Sequence, residues 1–353
     1  MEQIKVLVVD DSALMRKIIS DIFSADSRFA VVDTARDGID ALEKTIKLKP
    51  DLITLDVEMP RLDGLQTLKE IVRRHKVPVI MLSSLTKRGS HVTMEALSLG
   101  AVDFIAKPDK LSTEGRADLQ AELLRKAAVA ASLRVQVEPL QVVRAEMAIK
   151  PVLFRQQAVR AVAIGASTGG PRALEVILLS LPANLPAAVF VTQHMPPKFT
   201  LALAERLNKL SAIRIKEAEH GEPVQTGVVY LAPGNYHLEI AADRKIRLTQ
   251  DPPVEHVRPS ATVMMLSVAS VYGKESVGVI LTGMGKDGAA GMVEIKNCGG
   301  HTLAQDEASA VIFSMPKAAI QAGAVERVLP LAEIAKAVIA LCGGSADGQG
   351  HGL

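Results

Sequence analysis

Residues 4–23 read IKVLVVDDSALMRKIISDIF, an apolar run that ends in two aspartates and leads into a stretch with helical spacing. The run Ile4–Val9 predicts a buried strand, and Leu14–Phe23 predicts a helix. Strands that alternate with helices form a parallel sheet covered on both faces, so we expect an α/β, doubly wound (βα)5 domain. The same alternation continues over the first hundred residues, with further strands predicted at Val31–Thr34, Leu52–Leu55, Val79–Leu82 and Val102–Ile105.

Three aspartates lie at predicted strand ends of this domain: Asp10 and Asp11 end the first strand, and Asp56 ends the third. With the strand order 2-1-3-4-5 these strands are neighbours, so the three carboxylates would share one crevice. Their mutual repulsion favours a bound cation, and Mg²⁺ prefers carboxylates, water and phosphate oxygens. Ser83 ends the fourth strand and Lys107 follows the fifth, where they would hold phosphoryl oxygens. The alternative is that each aspartate merely caps a helix.

A second alternation of strands and helices begins near Arg160 and predicts a Rossmann-like α/β domain. A hairpin pattern between Tyr236 and Thr249 interrupts it, so we expect a mostly parallel sheet with one β-hairpin. The predicted strands are Ala161–Ile164, Ala188–Thr192, Gly227–Leu231, Ser276–Leu281 and His301–Ala304, and the predicted helices are Pro171–Leu179, Phe199–Leu207, Ser260–Val271 and Ala289–Asn297.

These patterns divide the chain into four parts. The first domain is assigned to residues 1–108 and the second to residues 158–343. Residues 109–157 are predicted to form a linker that contains one helix, Asp118–Leu133. The Gly-rich residues 344–353 are predicted to be a disordered tail.

Composition and charge limit the classes of function. The 41 basic and 39 acidic residues leave a net charge of +2, which gives no bulk-charge signal for a nucleic-acid or membrane partner. Cys298 and Cys342 lack disulfide-framework or metal-ligand spacing and are expected to be reduced thiols. The sequence shows no signal-peptide pattern and no apolar run of membrane-spanning length, so we expect a cytoplasmic protein without membrane insertion.

Three polar segments follow predicted strands of the second domain: GASTGG at 165–170, QHMP at 193–196 and GMGKDG at 283–288. Each lies at the carboxyl end of a strand, so all three can face one crevice. Ser167 would lie on a tight strand-to-helix turn, and a serine hydroxyl becomes a good nucleophile when a base takes its proton. His194 can be that base and Asp287 can orient it, which predicts a serine hydrolase with amides at the helix start as oxyanion site.

Each segment also has another interpretation. GASTGG could bind phosphate at a helix N-terminus, and His194 could be an ordinary loop residue. GMGKDG matches a dinucleotide-binding fingerprint, with Asp306 near the distance of a ribose-binding acid. The alternative function is therefore a non-enzymatic, nucleotide-binding second domain. An α/β-hydrolase has the order Ser, acid, His and would need a late histidine such as His301, but His301 begins a predicted strand.

The segments VVDDSALMRK, LDVEMPRLDG, VIMLSS and DFIAKP resemble a response-regulator receiver domain throughout residues 1–108. The resemblance implies that Asp56 is phosphorylated and that Ser83 and Lys107 contact the phosphoryl group. It makes Phe104 the switch aromatic, without the hydroxyl of the Tyr that is frequent at this position. The implied Mg²⁺ ligands are Asp10, Asp11, Asp56 and the backbone carbonyl of Glu58.

GASTGG, QHMP and GMGKDG behind a receiver closely resemble the chemotaxis protein-glutamate methylesterases of the CheB family, over essentially the whole chain except the linker and the tail. The resemblance implies Ser167 as nucleophile, His194 as general base and Asp287 as orienting acid. It places Thr168 and the Met284 backbone near the oxyanion. It implies hydrolysis of γ-glutamyl methyl esters, and deamidation of glutamines, on the cytoplasmic region of chemoreceptors. A chemotaxis histidine kinase would donate the activating phosphoryl group, and ester hydrolysis itself would need no cofactor.

Overall fold

The structure is a computed structural model that describes residues 3–108, 112–133 and 160–343 of the chain. These residues fall into two units, Met1–Val143 and Arg144–Leu353. Apart from residues 112–133, the predicted linker lies outside the described residues, as does the predicted tail 344–353. None of the helices in the described ranges is long and apolar enough to cross a membrane.

The sheet of the first unit consists of β1 (Ile4–Val9), β2 (Phe29–Ala35), β3 (Leu52–Asp56), β4 (Val79–Ser84) and β5 (Asp103–Lys107). The strands pair in parallel in the order β2-β1-β3-β4-β5, which confirms the predicted doubly wound fold. Their apolar residues are buried because helices cover both faces of the sheet. These helices include α1 (Ala13–Ser24), α2 (Gly38–Leu48), α3 (Gly64–Arg74) and α4 (Lys87–Leu99).

Short polar side chains begin the helices of this unit. Ser12 caps α1 and Asp63 caps α3, each through a side-chain oxygen that accepts a backbone N–H of the first turn. Asp10 instead accepts the N–H of Ser12 at 2.9 Å, and Asp56 is the last residue of β3. Asp10 and Asp56 are therefore not the caps of the helices that follow them, and their carboxylates are available for another role.

A fifth helix, α5 (Thr113–Ser132), packs against the first sheet. The partly buried Lys126 of this helix forms an ion pair with Asp103 (3.1 Å) and donates a hydrogen bond to the carbonyl of Phe104 (2.6 Å). The helix that the sequence pattern assigned to the linker thus packs on the first core. The domain bounds given for the sequence stay predictions. The apolar residues that α5 contributes to that core are Leu119, Leu123, Ala127 and Ala130.

The strands of the second unit are β6 (Ala161–Ala166), β7 (Ala188–Gln193), β8 (Arg214–Glu217), β9 (Val228–Leu231), β10 (His237–Ile240), β11 (Ile246–Thr249), β12 (Ser276–Ile280), β13 (His301–Gln305) and β14 (Arg327–Leu329). A seven-stranded sheet has the order β14-β13-β12-β6-β7-β9-β8, and the pairings between its described strands are all parallel. The predicted hairpin is present as β10 and β11, but it forms an antiparallel sheet of its own.

The middle of the seven-stranded sheet is where a functional site is expected. Strand β6 lies between β12 and β7, so the carboxyl ends of these three strands are neighbours. Open α/β sheets bind their ligands at such a position, where the order of strands reverses. The helices of this unit are α6 (Gly170–Leu178), α7 (Phe199–Leu210), α8 (Ala261–Tyr272), α9 (Ala289–Asn297), α10 (Ser314–Gln321) and α11 (Leu331–Leu341).

Candidate functional site

The three predicted catalytic residues lie at these strand ends. Ser167 directly follows β6, His194 directly follows β7, and Asp287 lies in the loop between β12 and α9. His194 Nε2 and Asp287 Oδ2 are 2.8 Å apart, and Ser167 follows the strand between those that carry the pair. No hydrogen bond joins the side chains of the described residues Ser167 and His194. Catalytic hydrogen bonds are often long without substrate and shorten when it binds.

A tight turn presents Ser167. Its N–H donates to the Thr282 carbonyl (3.0 Å), and its carbonyl accepts the N–H of Gly170 (2.7 Å). Gly169 has a φ of 77°, in the left-handed region that favours glycine, and a Cβ there would lie 2.7 Å from the Val311 side chain. Ser167 is 8% exposed. The strand–turn–helix geometry predicted around this serine is therefore present.

Asp287 is held by hydrogen bonds from its own unit. Besides His194, the donors are the Ser260 hydroxyl (2.7 Å) and the backbone N–H groups of Ala261 (2.6 Å) and Thr262 (3.0 Å), at the N-terminus of α8. Burial would raise the pKa of this carboxyl, which is 2% exposed. The hydrogen bond from His194 and the charge of its ring, together with the other hydrogen bonds, outweigh burial and lower the pKa of Asp287 to about 2. Asp287 is therefore an ionised acceptor at neutral pH.

This ionised acceptor determines the tautomer of His194. A carboxylate only accepts hydrogen bonds, so the Nε2 atom that faces Asp287 carries a hydrogen. Nδ1 is then the ring nitrogen that can act as base towards Ser167. The backbone N–H of His194 also donates to the carbonyl of Ala166 (3.1 Å), which ties the histidine to the strand that precedes Ser167.

The donors at the start of α8 were missed by sequence reasoning. Ser260 is the N-cap of α8, and the Thr262 hydroxyl oxygen accepts the N–H of Gly288 (2.7 Å), next to Asp287. A serine directly before an apolar helical run is a signal for an N-cap. That signal does not tell which carboxylate the helix N-terminus will meet, because the contact depends on how α8 packs against a distant loop.

A cleft of about 530 Å³ opens beside the histidine–aspartate pair. Met284 lines it together with His194 and Asp287, so this predicted oxyanion residue lies at the cleft. Thr168 is buried directly after Ser167, and its carbonyl accepts a hydrogen bond from the Thr282 hydroxyl (3.0 Å). The oxyanion roles of Thr168 and Met284 stay predictions.

The residues behind the alternative interpretations have other contacts. Asp306 accepts hydrogen bonds from the N–H (3.0 Å) and the hydroxyl of Ser309, and so stabilises its own turn. His301 begins β13 and lies 3.0 Å from a carboxylate oxygen of Glu326. That position is at the amino end of a parallel strand, opposite the edge where Ser167 lies. The structure therefore does not place His301 beside Ser167, as a triad in the chain order Ser, acid, His would require.

The carboxyl ends of β1 and β3 carry the predicted acidic pocket. Carboxylate oxygens of Asp10, Asp11 and Asp56 lie within 4.8 Å of one another. Lys107 Nζ lies 2.7 Å from Asp10 and 2.8 Å from Asp56. One ammonium does not neutralise three carboxylates, and a divalent cation fits this all-oxygen set of donors.

Burial determines the acidity of the predicted phospho-acceptor. Asp56 is 4% exposed, and burial raises its pKa to about 6, because the attraction of Lys107 only partly opposes burial and the repulsion from Asp10. Burial would lower the pKa of Lys107, but the charges of Asp56 and Asp10 outweigh it and raise that pKa. Ser83 is fully buried in the neighbouring strand β4.

Two further residues are predicted to take part in the receiver site, Phe104 as the switch and Glu58 as a metal ligand. Phe104 is buried in β5, and the ammonium of Lys126 lies 5.2 Å from the centre of its ring. Glu58 follows β3 and has an exposed side chain. The carbonyl of Glu58 as a metal ligand and Phe104 as a switch stay predictions, as do the phosphoryl contacts of Ser83 and Lys107.

The fold and these two sites define a response regulator whose receiver precedes an α/β domain with a candidate Ser-His-Asp set. The family model of the response regulator receiver domain matches residues 6–113 of the sequence, and the family model of the CheB methylesterase matches residues 162–338. The chain belongs to the CheB methylesterase family, which confirms the resemblance seen in its motifs.

Relatives of nearly full length support this membership. A protein of Symbiobacterium thermophilum named protein-glutamate methylesterase/protein-glutamine glutaminase is 48% identical over 347 residues, which cover 95% of this chain and 96% of that protein. One of the same name from Pyrococcus horikoshii is 47% identical over 343 residues, with 96% and 93% covered. The crystal structure of the Thermotoga maritima CheB methylesterase catalytic domain is 43% identical, with a TM-score of 0.51, and covers 52% of this chain and 100% of that domain. A non-enzymatic second domain is not favoured by these similarities.

Proposed function

We propose that this chain hydrolyses γ-glutamyl methyl esters on the cytoplasmic region of chemoreceptors, deamidates receptor glutamines, and is activated by phosphorylation at Asp56. The observation that carries the proposal is the hydrogen bond of 2.8 Å between His194 and Asp287, beside the turn that presents Ser167. The name shared by the relatives, protein-glutamate methylesterase/protein-glutamine glutaminase, supports both the ester and the amide as substrates.

Acylation uses all three residues of the candidate triad. Ser167 Oγ attacks the ester carbonyl carbon while His194 Nδ1 takes the hydroxyl proton. The ionised Asp287 stabilises the imidazolium, and Thr168 and the Met284 backbone hold the oxyanion. The bond to the methoxy group then breaks, His194 returns the proton, and methanol leaves an acyl ester on Ser167.

Deacylation repeats the same proton transfers with water. His194 takes a proton from the attacking water and gives it to Ser167 Oγ as the acyl bond breaks. The product is a glutamate carboxylate on the receptor. With a glutamine as substrate, ammonia leaves instead of methanol and the remaining steps are identical.

The acidic pocket provides the control. Asp56 would accept a phosphoryl group from a chemotaxis histidine kinase. Ser83 and Lys107 would contact the phosphoryl oxygens. Bound Mg²⁺ supplies the positive charge that offsets the carboxylates and the phosphoryl oxygens. Phosphorylation would shift the chain from a less active to a more active form, with Phe104 as the switch residue. The proposed ligands of the ion are Asp10, Asp11, Asp56 and the carbonyl of Glu58.

Methanol release from methylated receptor fragments tests the proposal. We expect wild-type protein to release methanol, and a small phosphoryl donor with Mg²⁺ to raise the rate. Asp56→Asn should abolish that increase, and Ser167→Ala should abolish release with and without the donor. Protein that binds the receptor fragment but releases no methanol would contradict the enzymatic function.

A further inference from the structure

We propose that Gln193 is a positioning residue that holds the turn of Ser167 and the loop of His194 in a fixed relation; this inference rests on the proposed function. Gln193 is the last residue of β7 and pairs across the sheet with Ala166, the last residue of β6. The next residues in the two strands are His194 and Ser167. Gln193 therefore lies where the proposed base and nucleophile leave the sheet.

The side-chain amide of Gln193 bridges the two segments directly. Its Nε2 donates to the carbonyl of Ser167 (2.9 Å) and, at longer range, to the carbonyl of His194 (3.4 Å). The carbonyl of Ser167 also accepts the N–H of Gly170 within its own turn. The Ser167 carbonyl thus accepts one hydrogen bond from its own turn and one from the side chain at the end of the strand that leads to His194.

The orientation of this amide follows from its partners. Both partners are carbonyl oxygens, which only accept, so the NH₂ end of Gln193 faces them. The other end, Oε1, is buried and has no hydrogen-bond partner among the described residues. Gly170 makes room for this oxygen, since a Cβ at that position would overlap it.

Packing alone does not account for a glutamine here. The side chain is 2% exposed, and burying an amide oxygen without a partner costs free energy that an apolar side chain of similar length would not incur. The donor end is the part of the side chain that makes specific contacts, and both contacts go to residues of the proposed triad. Gln193 acts through Ser167 and His194, and it does not touch the reacting atoms.

Two substitutions separate donation from packing. Gln193→Met keeps the length of the side chain and removes the donor. Gln193→Glu keeps the shape of the amide, but its carboxylate form cannot donate, whereas its protonated form has one O–H donor. Burial beside two carbonyl oxygens raises the pKa of the introduced carboxyl above its ordinary value, so it takes up a proton as the pH falls.

We expect Gln193→Met to lower kcat by about 10- to 100-fold with KM within about twofold, because displacements of about 1 Å between reacting groups cost up to about 100-fold. At high pH Gln193→Glu should lose as much or more. The ratio of kcat for Gln193→Glu to that for Gln193→Met should rise as the pH falls, since both share the titration of His194. A packing role alone would leave this ratio independent of pH.

The matched control is Ser211→Ala. The Ser211 hydroxyl donates to the carbonyl of Leu178 (3.0 Å), which is also a link from a side chain to the backbone of another element. It joins the ends of α7 and α6 and makes no contact with the triad, so kcat should stay within about twofold of wild type. Thermal unfolding of each variant reports folding independently of activity, and Gln193→Glu provides a same-shape variant if Gln193→Met does not fold.

The outcomes separate the two hypotheses. If Ser167→Ala abolishes methanol release while Gln193→Met keeps kcat within about twofold of wild type, the positioning role is wrong and the proposed function stands. A loss of activity in both Gln193 variants with a ratio independent of pH also overturns it. Wild-type protein that releases no methanol overturns the proposed function and, with it, the role of Gln193.

Discussion

Asp56 and Asp287 are both buried carboxylates, each at the carboxyl edge of its own parallel sheet, yet their pKa values are shifted in opposite directions. Burial raises the pKa of Asp56 to about 6. The pKa of Asp287 is about 2, although burial acts on it in the same direction, because hydrogen bonds to the carboxylate outweigh it. Because burial is common to both, the difference lies in the neighbouring groups: hydrogen-bond donors and the His194 charge lower the pKa of Asp287, whereas Asp10 and Asp11 repel the charge of Asp56.

Asp287 receives four hydrogen bonds from its own chain, namely from His194, Ser260, Ala261 and Thr262. Asp56 shares the single ammonium of Lys107 with Asp10, and Asp11 adds a third carboxylate to the pocket. The carboxylate of the second unit is thus fully supported by protein groups and suited to hold a histidine. The carboxylates of the receiver outnumber the ammonium group of Lys107 that faces them.

Ser167→Ala should give the largest difference between the two units, because it removes ester hydrolysis and leaves phosphorylation of Asp56 intact. We expect methanol release to fall by about 10⁵-fold or more, because without the nucleophile only binding and oxyanion contributions remain. Phosphorylation of Asp56 should proceed as in wild type, since that residue lies in the other unit. Both quantities can be measured on one preparation, and simultaneous loss of both would point to a folding defect.

Asp287→Asn tests whether the support of this carboxylate serves catalysis. The amide has the same shape but lacks the charge that stabilises the imidazolium, so we expect kcat to fall by about 10⁴-fold. Asp306→Asn is the matched control, because Asp306 also follows a strand of this sheet but bonds to Ser309 in its own turn. Its kcat should stay within about twofold of wild type. Equal losses in the two variants would contradict the special role of Asp287.

Mg²⁺ should stabilise the receiver and not the second unit. A ligand that binds the folded state at 100 times its Kd adds about 2.7 kcal/mol to the free energy of unfolding. Thermal unfolding of the full chain with and without Mg²⁺ measures the shift, and Asp11→Asn should reduce it. An equal shift in the transitions of both units would mean that the ion acts non-specifically.

The low pKa of Asp287 should appear as a pH dependence of stability. The folded-state pKa of about 2 lies below the ordinary value of 3.8, so the unfolded chain binds more protons between these values and stability rises with pH there. The contribution, about 2 kcal/mol, is complete above about pH 5 and is lost towards pH 2. The free energies of unfolding of wild type and Asp287→Asn, measured by urea titration, should therefore converge as the pH falls. A difference that stays constant over this range would show that the carboxylate is not the cause.

The positions of the main site residues could be predicted because strand ends are visible in the sequence. Ser167 and His194 directly follow strands that the sequence shows as largely apolar runs and that the structure confirms. The same holds for Asp10 and Asp56 in the first unit. In a parallel sheet all such ends lie on one edge, so the fold class places these residues on that edge and the strand order makes them neighbours.

Other features depend on contacts between distant segments and left no local signal. The donors Ala261 and Thr262 use backbone N–H groups, which are independent of residue type. Strands Arg214–Glu217 and Arg327–Leu329 are short and charged, and they form because neighbouring strands offer an edge. The packing of α5 on the first core depends on the surface that the first sheet presents, which the helix sequence alone does not show.

Because Gly170 lies so close to the Gln193 amide, the residues at these two positions have to be chosen together in any redesign. A library that varies residue 193 alone samples only side chains that fit a space shaped by glycine. A Cβ at position 170 would overlap Gln193 Oε1 and lie 2.9 Å from the Ala166 Cβ, so a larger residue there needs room from both neighbours. Engineering of this hydrolase should therefore vary the two codons jointly, because a substitution at either position changes the space that the other can fill.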